Sequence, residues 1–164
     1  MQLFHVVGDA LQPVKKPAII AHVCNDVDKW GKGFVVPLGK AYPKAEQGFH
    51  AIPPAERKVG YTQFVEDGDV TVANMVAQRD VRPSKAGPPL RYDALHKCLA
   101  EVQVRALASG STVHMPRIGV GLAGGSWDVV KSVIMSTMKV DTYVYTLPSE
   151  ADKWPETRKD GQNG

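Results

Sequence analysis

Four glycines fall within seven residues in the second half of the chain, at positions 119, 121, 124 and 125. An extended stretch leads into them, and a helical pattern begins at Trp127. Glycine lets backbone N–H groups turn toward a ligand because no Cβ stands in the way, and a following helix N-terminus adds partial positive charge. The pattern predicts a loop that holds a phosphate or a diphosphate. The alternative is a tight strand-to-helix connection without a ligand.

A second glycine loop lies earlier, where Gly31 and Gly33 follow the apolar run at 18–24. Two such loops, each opening a helix, suit a ligand with two phosphates or with a phosphate and a sugar. The sequence GxxxxGK[ST] does not occur, which excludes the phosphate loop of NTPases. GxGxxG does occur, from Gly119 to Gly124, but no acidic residue follows where a ribose would need it. The sequence therefore argues against a Rossmann dinucleotide site.

The elements that must position these loops alternate between strand and helix patterns. Strands are predicted at 3–7, 18–24, 59–65, 70–77, 113–118 and 142–147, and helices at 34–42, from 43 onward, at 90–108 and at 127–138. The alternation predicts an α/β fold with a mixed central sheet and helices on both faces. Ligands bind at the carboxyl ends of the strands in such sheets, and both glycine loops fall there.

The helix predicted at 90–108 has an apolar stripe that should face the core, formed by Leu90, Leu95, Leu99, Val102 and Leu107. The segment at 82–89 before it is basic and contains Pro, Gly and Ser, which predicts a lid over a site. Residues 149–164 are polar, so we expect a loose tail after a single domain at 1–148.

With 164 residues and 43% hydrophobic content, the chain is large enough for one domain with a sizeable core. No apolar run reaches the length of a membrane span, and the first residues lack the pattern of a secretory signal. Two cysteines, Cys24 and Cys98, are too few for a disulfide framework or a zinc site. We expect buried free thiols in a reducing cytoplasm.

The formal net charge is +3, which suits a phosphate-bearing ligand but gives no basic stripe for nucleic acid. Four histidines have no partners at metal-ligand spacing: His5, His50, His96 and His114. We therefore expect a cytoplasmic monomer that uses no metal and no cofactor and binds neither nucleic acid nor a membrane.

Three motifs, in this order, resemble the macrodomain family over residues 1–148. They are Gly8-Asp9 after the first strand, the stretch from Ala21 to Asn25 leading to Gly31-Lys32-Gly33, and the stretch from Met115 to Leu122. The closing Val144-Tyr145-Thr146-Leu147 adds to the similarity. The nearest branch contains terminal ADP-ribose protein glycohydrolases and ADP-ribose-1″-phosphate phosphatases. The resemblance implies a three-layer α/β/α domain with an ADP-ribose-binding cleft.

By the family pattern, Asp9 contacts the adenine and Asn25 the distal ribose. Gly31 and Gly33 close around the distal ribose and its phosphate, and residues 119–122 wrap the diphosphate with backbone N–H groups. The full set of expected ligand contacts adds Trp30, Arg79, Ile118, Gly119, Val120, Gly121, Leu122 and Ala123.

The sequence departs from this branch at two positions. Hydrolases that act through a lysine carry it just after the fourth strand, where this chain has Gln78-Arg79. Ala123 stands where one of these hydrolases has an aspartate. His22 matches a histidine of the phosphatases. The resemblance therefore implies a hydrolase of ADP-ribosyl groups that does not use the lysine.

Three side chains are candidates for water activation, namely His22, Gln78 and Asp128. A histidine suits a general base near neutral pH, a glutamine can orient a water, and a carboxylate beside the glycine loop can activate one. Each has a structural alternative. For His22 it is a strand histidine whose hydrogen bonds are all made within the core, for Gln78 a solvent-exposed strand end, and for Asp128 a residue that only complements the helix dipole. Asn25 has one too, an Asx turn with Asp26.

The expected reaction is the removal of mono-ADP-ribose from glutamate and aspartate esters of proteins. ADP-ribose and mono-ADP-ribosylated proteins are then the partners. Two alternatives stay open. A phosphatase acting on ADP-ribose-1″-phosphate is favoured by His22. A reader that binds ADP-ribose without catalysis is favoured by the missing lysine and by Ala123.

Overall fold

Six strands and four α-helices alternate along the chain in the computed structural model, which describes residues 1–157. The strands are β1 (Leu3–Val7), β2 (Ala18–Asn25), β3 (Thr62–Asp67), β4 (Val70–Gln78), β5 (Thr112–Pro116) and β6 (Thr142–Thr146). The helices are α1 (Val35–Ala41), α2 (Pro43–His50), α3 (Tyr92–Ser109) and α4 (Trp127–Thr137). The sequence patterns predicted each of these elements, with ends that differ by a few residues.

The strands form one sheet in the order β1–β6–β5–β2–β4–β3. Neighbouring strands are parallel except β3, which pairs antiparallel with β4 through the turn at Gly68. The carboxyl ends of the parallel strands therefore meet at one edge of the sheet, where ligands bind in this fold class. A bulge between Cys24 and Asn25 sets Asn25 opposite Gln78 at that edge.

Helices cover both faces of the sheet, which confirms the predicted three-layer α/β/α arrangement. The central strand β2 is buried along most of its length, as its continuous apolar run indicates. One face packs through Ile20, Leu38 and Phe49 with α1 and α2. The other packs against α3 and α4 through a core that includes Leu95 and Ile134.

One residue of the predicted apolar stripe of α3 lies outside the core. Leu107 is 71% exposed, whereas Ala106 is fully buried. The buried face of the helix runs through Leu95, Leu99, Val102 and Ala106. Because each helical residue is rotated by about 100° from the one before it, residue 107 points away from that face.

The chain after β6 is folded as far as residue 157. Two 3-10 helices, Pro148–Lys153 and Pro155–Thr157, occupy most of residues 149–157, where the loose tail was expected to begin. Thr157 is buried, and its hydroxyl donates to the Ala151 carbonyl at 2.5 Å. The second of these helices contacts β1. The remainder of the predicted tail, 158–164, lies outside the described residues.

Both cysteines are free and buried, as predicted. Burial raises the pKa of the Cys24 thiol and raises that of Cys98 to about 11, so both stay protonated near neutral pH. Within residues 1–157, no helix combines the length and the apolar character needed to cross a membrane.

Candidate functional site

Three neighbouring cavities follow one another along the carboxyl edge of the sheet. The large cavity has a volume of about 690 Å³ and the central cavity about 350 Å³. The cationic cavity, which we name for Lys29, Lys32 and Arg82 in its wall, has about 380 Å³. Gly33 borders both the large and the central cavity, and Lys32 borders both the central and the cationic cavity. The three therefore form one cleft that an elongated ligand can span.

The loop after β5 borders the central cavity with unused backbone donors. The N–H groups of Gly119, Val120, Gly121 and Leu122 donate to no acceptor within residues 1–157. Gly119 and Gly121 have φ angles of +77° and +66°, which residues with a side chain rarely adopt. The Gly125 N–H closes the loop by donating to the Gly119 carbonyl at 2.7 Å. An oxyanion in the central cavity therefore meets donors that are already held in place.

The loop after β2 approaches from the other side of the cleft. A Cβ placed on Gly33 would lie 3.8 Å from Cδ1 of Leu122, so the two loops nearly touch. The N–H groups of Lys32 and Gly33 also have no acceptor in the part of the chain that the structure describes. Unpaired donors on both sides of a narrow cleft are what a phosphate-binding concavity requires.

His22 lies under the cleft and is only 2% exposed. Its Nε2 is 2.5 Å from Oδ1 of Asn74. The Asn74 amide group donates to the Ala45 carbonyl and to Oε1 of Gln63, so Oδ1 is the acceptor and Nε2 of His22 carries the proton. Burial lowers the pKa of His22 to about 4, and the Asn74 hydrogen bond opposes that shift. Although His22 touches the central cavity, its environment is that of a satisfied strand histidine.

The side chain of Asn25 organises the loop that follows it. Its Oδ1 accepts from the N–H groups of Val27 and Lys29 at 3.1 and 3.0 Å, and its Nδ2 donates to the Lys29 carbonyl at 2.7 Å. This is an Asx-type turn, the structural alternative for this residue, at a position that also borders the cationic cavity.

Gln78 lies beside Asn25 at the end of β4 and borders both the central and the cationic cavity. It is half-buried, and its carboxamide has no hydrogen-bond partner among residues 1–157. Of the three candidates for water activation, Gln78 has the polar group that is free inside the cleft.

Three predicted site residues border none of the three cavities: Trp30, Arg79 and Asp128. Trp30 is buried and packs against His22 and Phe49. Arg79 is exposed, as is Asp128 in the first turn of α4, where a carboxylate complements the helix dipole. The remaining predicted contacts border the cleft: Asp9, Gly31, Gly33, Ile118, Gly119, Val120, Gly121, Leu122 and Ala123.

Arg117, to which the sequence analysis assigned no role, separates the large and central cavities. Its guanidinium carbon lies 4.0 Å from the ring centre of Trp154 and 4.9 Å from that of Trp127. Nε donates to the hydroxyl of Thr146 at 2.9 Å, and Nη1 to Glu156 at 2.7 Å. Most of these partners are distant from Arg117 in sequence. The one local signal for a site residue is therefore an arginine among apolar residues at the end of a strand.

A second buried histidine supports the wall of the large cavity. His114 lies 2.8 Å from the hydroxyl of Tyr145 through Nδ1 and 2.8 Å from that of Thr112 through Nε2. The Val14 N–H donates to the same Tyr145 oxygen at 2.9 Å. Burial lowers the pKa of His114 to about 4. The neutral imidazole therefore fixes Tyr145, which borders the large cavity.

Known proteins share this fold over nearly the whole chain. The structure of a protein of unknown function from Bacteroides thetaiotaomicron is 37% identical, with a TM-score of 0.86, covering 90% of this chain and 99% of that one. A macrodomain protein from Streptomyces coelicolor is also 37% identical, with a TM-score of 0.76 over 88% and 99% of the two chains. An ADP-ribose 1″-phosphate phosphatase from Lodderomyces elongisporus is 24% identical over 90% of this chain and 99% of its own length. No family model matches the chain.

Proposed function

Because this chain belongs to the macrodomain family, we propose that it binds ADP-ribose along the cleft and removes mono-ADP-ribose from acidic side chains of proteins. The observation that carries the proposal is the row of unpaired N–H groups from Gly119 to Leu122, which faces Gly33 across the central cavity. Uncharged backbone donors at close spacing are well suited to a diphosphate.

In this proposal the adenosine half of the ligand occupies the large cavity. A volume of about 690 Å³ suits a small-molecule site. Oδ1 of Asp9 accepts from the Leu11 N–H at 2.9 Å, which steadies the carboxylate and leaves Oδ2 for the adenine amino group. Tyr145 and Trp154 supply aromatic surface in the same wall.

The distal ribose then reaches the boundary between the central and cationic cavities. Gly31 leaves room for it, since a Cβ added there would meet no atom within 4 Å. Asn25 and Gln78 border the same space. Holding the sugar between two fixed loops is itself a large part of catalysis, because positioning contributes up to about 7–11 kcal/mol in favourable cases.

The proposed reaction is the attack of a water on C1″ of the distal ribose. The bond from C1″ to the ester oxygen breaks, and its electron pair leaves with the carboxylate. The water proton passes to a diphosphate oxygen and then to solvent. The unpaired carboxamide of Gln78 supports its role in orienting the water. The hydrogen bond that occupies Nε2 of His22 and the exposure of Asp128 argue against those two residues.

Calorimetric titration with ADP-ribose, run beside a release assay on glutamate-ADP-ribosylated protein, tests the proposal. Binding together with release of ADP-ribose is the expected result. Binding without release from any modified substrate would leave only a reader. Absence of binding would reject the diphosphate assignment of both glycine loops.

A second candidate is the hydrolysis of ADP-ribose-1″-phosphate. It is favoured by the full-length similarity to a protein named for that activity. In this reaction water attacks phosphorus, the bond from phosphorus to the C1″ oxygen breaks, and inorganic phosphate is released. A phosphate-release assay on the same preparation distinguishes it from ester hydrolysis.

A further inference from the structure

We infer that the cationic cavity is a subsite for an oxyanion, the carboxylate or phosphate group attached to C1″ of the distal ribose. The inference rests on the proposed function for the position of that ribose. Its own basis is the wall of the cavity, in which the described residues include Lys29, Lys32 and Arg82 and no carboxylate.

The three cations have no counter-ion in the part of the chain that the structure describes. Within residues 1–157, none of them lies within 4.0 Å of a carboxylate oxygen. The large cavity differs, since Lys153 pairs with Glu150 at 2.7 Å and Arg117 with Glu156 at 2.7 Å. Like charges that line one side of a cleft concentrate counter-ions there. Among residues 1–157, the cationic cavity is therefore the end of the cleft that lacks negative charge.

Acidic residues of the adjoining loops interact with groups other than the three cations. Oδ1 of Asp28 lies 2.7 Å from Nδ1 of His50 and 3.3 Å from Nη2 of Arg57. Oδ1 of Asp26 accepts the N–H of Asp80 at 2.7 Å. None of these three aspartates borders the cavity, so their carboxylates do not occupy the place of the anion.

Hydrogen bonds fix the two cation-bearing loops to the sheet and to each other. The side chain of Asn25 accepts a hydrogen bond from the Lys29 N–H and donates one to the Lys29 carbonyl. The Asp26 N–H donates to the Gln78 carbonyl at 3.1 Å, while its side chain holds Asp80. The loop after β2 is thereby tied to the segment that leads to Arg82. Lys29 is therefore held directly by hydrogen bonds, and Arg82 follows two residues after the fixed backbone of Asp80.

Both candidate reactions place an oxyanion at this end of the ligand. Ester hydrolysis turns a neutral ester oxygen into a carboxylate, so the cations stabilise charge that develops as the bond breaks. Phosphomonoester hydrolysis begins with a charged group, which the same cations bind before and after the reaction. The shared chemistry is an oxyanion linked to C1″.

The test uses inorganic phosphate as the probe, titrated into protein saturated with ADP-ribose. We compare the wild type with the double variant Lys29→Gln/Arg82→Gln. Lys85→Gln is the matched control, because Lys85 is an exposed cation that does not border the cavity. Phosphate affinity should fall at least about tenfold in the double variant and stay unchanged in the control. The charge-preserving variant Lys29→Arg/Arg82→Lys should retain most of it, which separates loss of charge from loss of folding.

Equal phosphate affinity in the double variant and the wild type would overturn the inference. If ADP-ribose still binds in that case, the proposed function stands. If ADP-ribose does not bind the wild type, the proposed function fails, and the same comparison with phosphate alone decides the subsite. Kinetics on the two substrates show whether the bound oxyanion is a carboxylate or a phosphate. The double variant should lose more kcat/KM on the substrate that the enzyme uses, either the glutamyl ester or ADP-ribose-1″-phosphate.

Discussion

His22 and Asn74 occupy matching positions on β2 and β4 and are joined by a 2.5 Å hydrogen bond inside the core. Asn74 continues the connection to Ala45 on α2 and to Gln63 on β3. One polar network thus ties three strands to a helix directly beneath the cleft. Breaking such a network is costly because the remaining groups stay buried without partners.

Replacing His22 by alanine should therefore reduce stability rather than chemistry. We expect the free energy of unfolding to fall by about 2–4 kcal/mol, with turnover per folded molecule within about threefold of wild type. Urea unfolding curves and kcat measured where both proteins are folded check this. The exposed His96 provides the control variant His96→Ala. A hundred-fold loss of kcat with ADP-ribose affinity intact would instead assign His22 to catalysis.

Acid should weaken the fold through its buried histidines. Burial lowers the pKa of His22 and of His114 from 6.5 to about 4, so in this range the unfolded chain binds more protons than the folded one. Their contribution to the free energy of unfolding is complete above about pH 6.5 and is lost progressively as the pH falls toward 4. For His22 the full loss is about 3 kcal/mol. In urea titrations across this range, His22→Gln should flatten the pH dependence, and an unchanged slope would contradict the assignment.

The glycine loop after β5 should not tolerate a side chain at Gly121. Gly121 and Gly68 have nearly equal φ angles of +66° and +65°, and a Cβ at either would meet nothing within 4 Å. Alanine at each position should cost about 1 kcal/mol of stability. Only Gly121→Ala should also weaken ADP-ribose binding, by about tenfold or more, because Gly121 borders the cleft and Gly68 does not. Calorimetry on the two variants tests this, and equal affinities would show that the loop does not hold the ligand.

Gln78 should matter for turnover and not for binding. We expect Gln78→Ala to lower kcat on glutamate-linked ADP-ribose by about a hundredfold, the scale of a single positioned group acting on water. The dissociation constant of ADP-ribose should change little. Asp128→Asn should leave both values unaltered, since Asp128 is exposed outside the cleft. The reverse pattern would favour the carboxylate as the group that activates water.

Removing Trp154 should open the adenosine end of the cleft. Trp154 borders the large cavity and covers the Arg117 guanidinium at 4.0 Å, a contact typically worth about 0.5–2 kcal/mol. Trp154→Ala should lower the melting temperature and weaken the binding of AMP. Ribose 5-phosphate, which lacks the adenine, should bind as before. Equal weakening of both ligands would point to a general loss of folding.

Features that are local in sequence were predictable. The glycine loops, the strand before each and the helix after each are contiguous, so the residue pattern itself carries the information. The side of α3 that faces the core was harder to define, because the choice between Ala106 and Leu107 depends on helix rotation rather than on hydrophobicity.

Features made by distant residues were not predictable. The cationic cavity brings Lys29 and Lys32 together with Arg82. The guanidinium of Arg117 contacts the rings of both Trp127 and Trp154. No local sequence pattern predicts these contacts, because they depend on the order of the strands in the sheet. Asp128 is close to the glycine loop along the chain, but it is exposed in the first turn of α4, and its role in the site stays a prediction.

The unpaired donors of Gly119, Val120, Gly121 and Leu122 belong to peptide groups and to no particular side chain. They have no proton to gain or lose near neutral pH, and a substitution removes one of them only if it introduces proline. The part of the affinity that comes from the diphosphate therefore depends on the course of the backbone more than on the side chains of this loop. A library randomised at Gln78, Lys29 and Arg82 would thus vary the groups around C1″ while the backbone donors to the diphosphate stay in place. This makes the fold a favourable starting point for directed evolution.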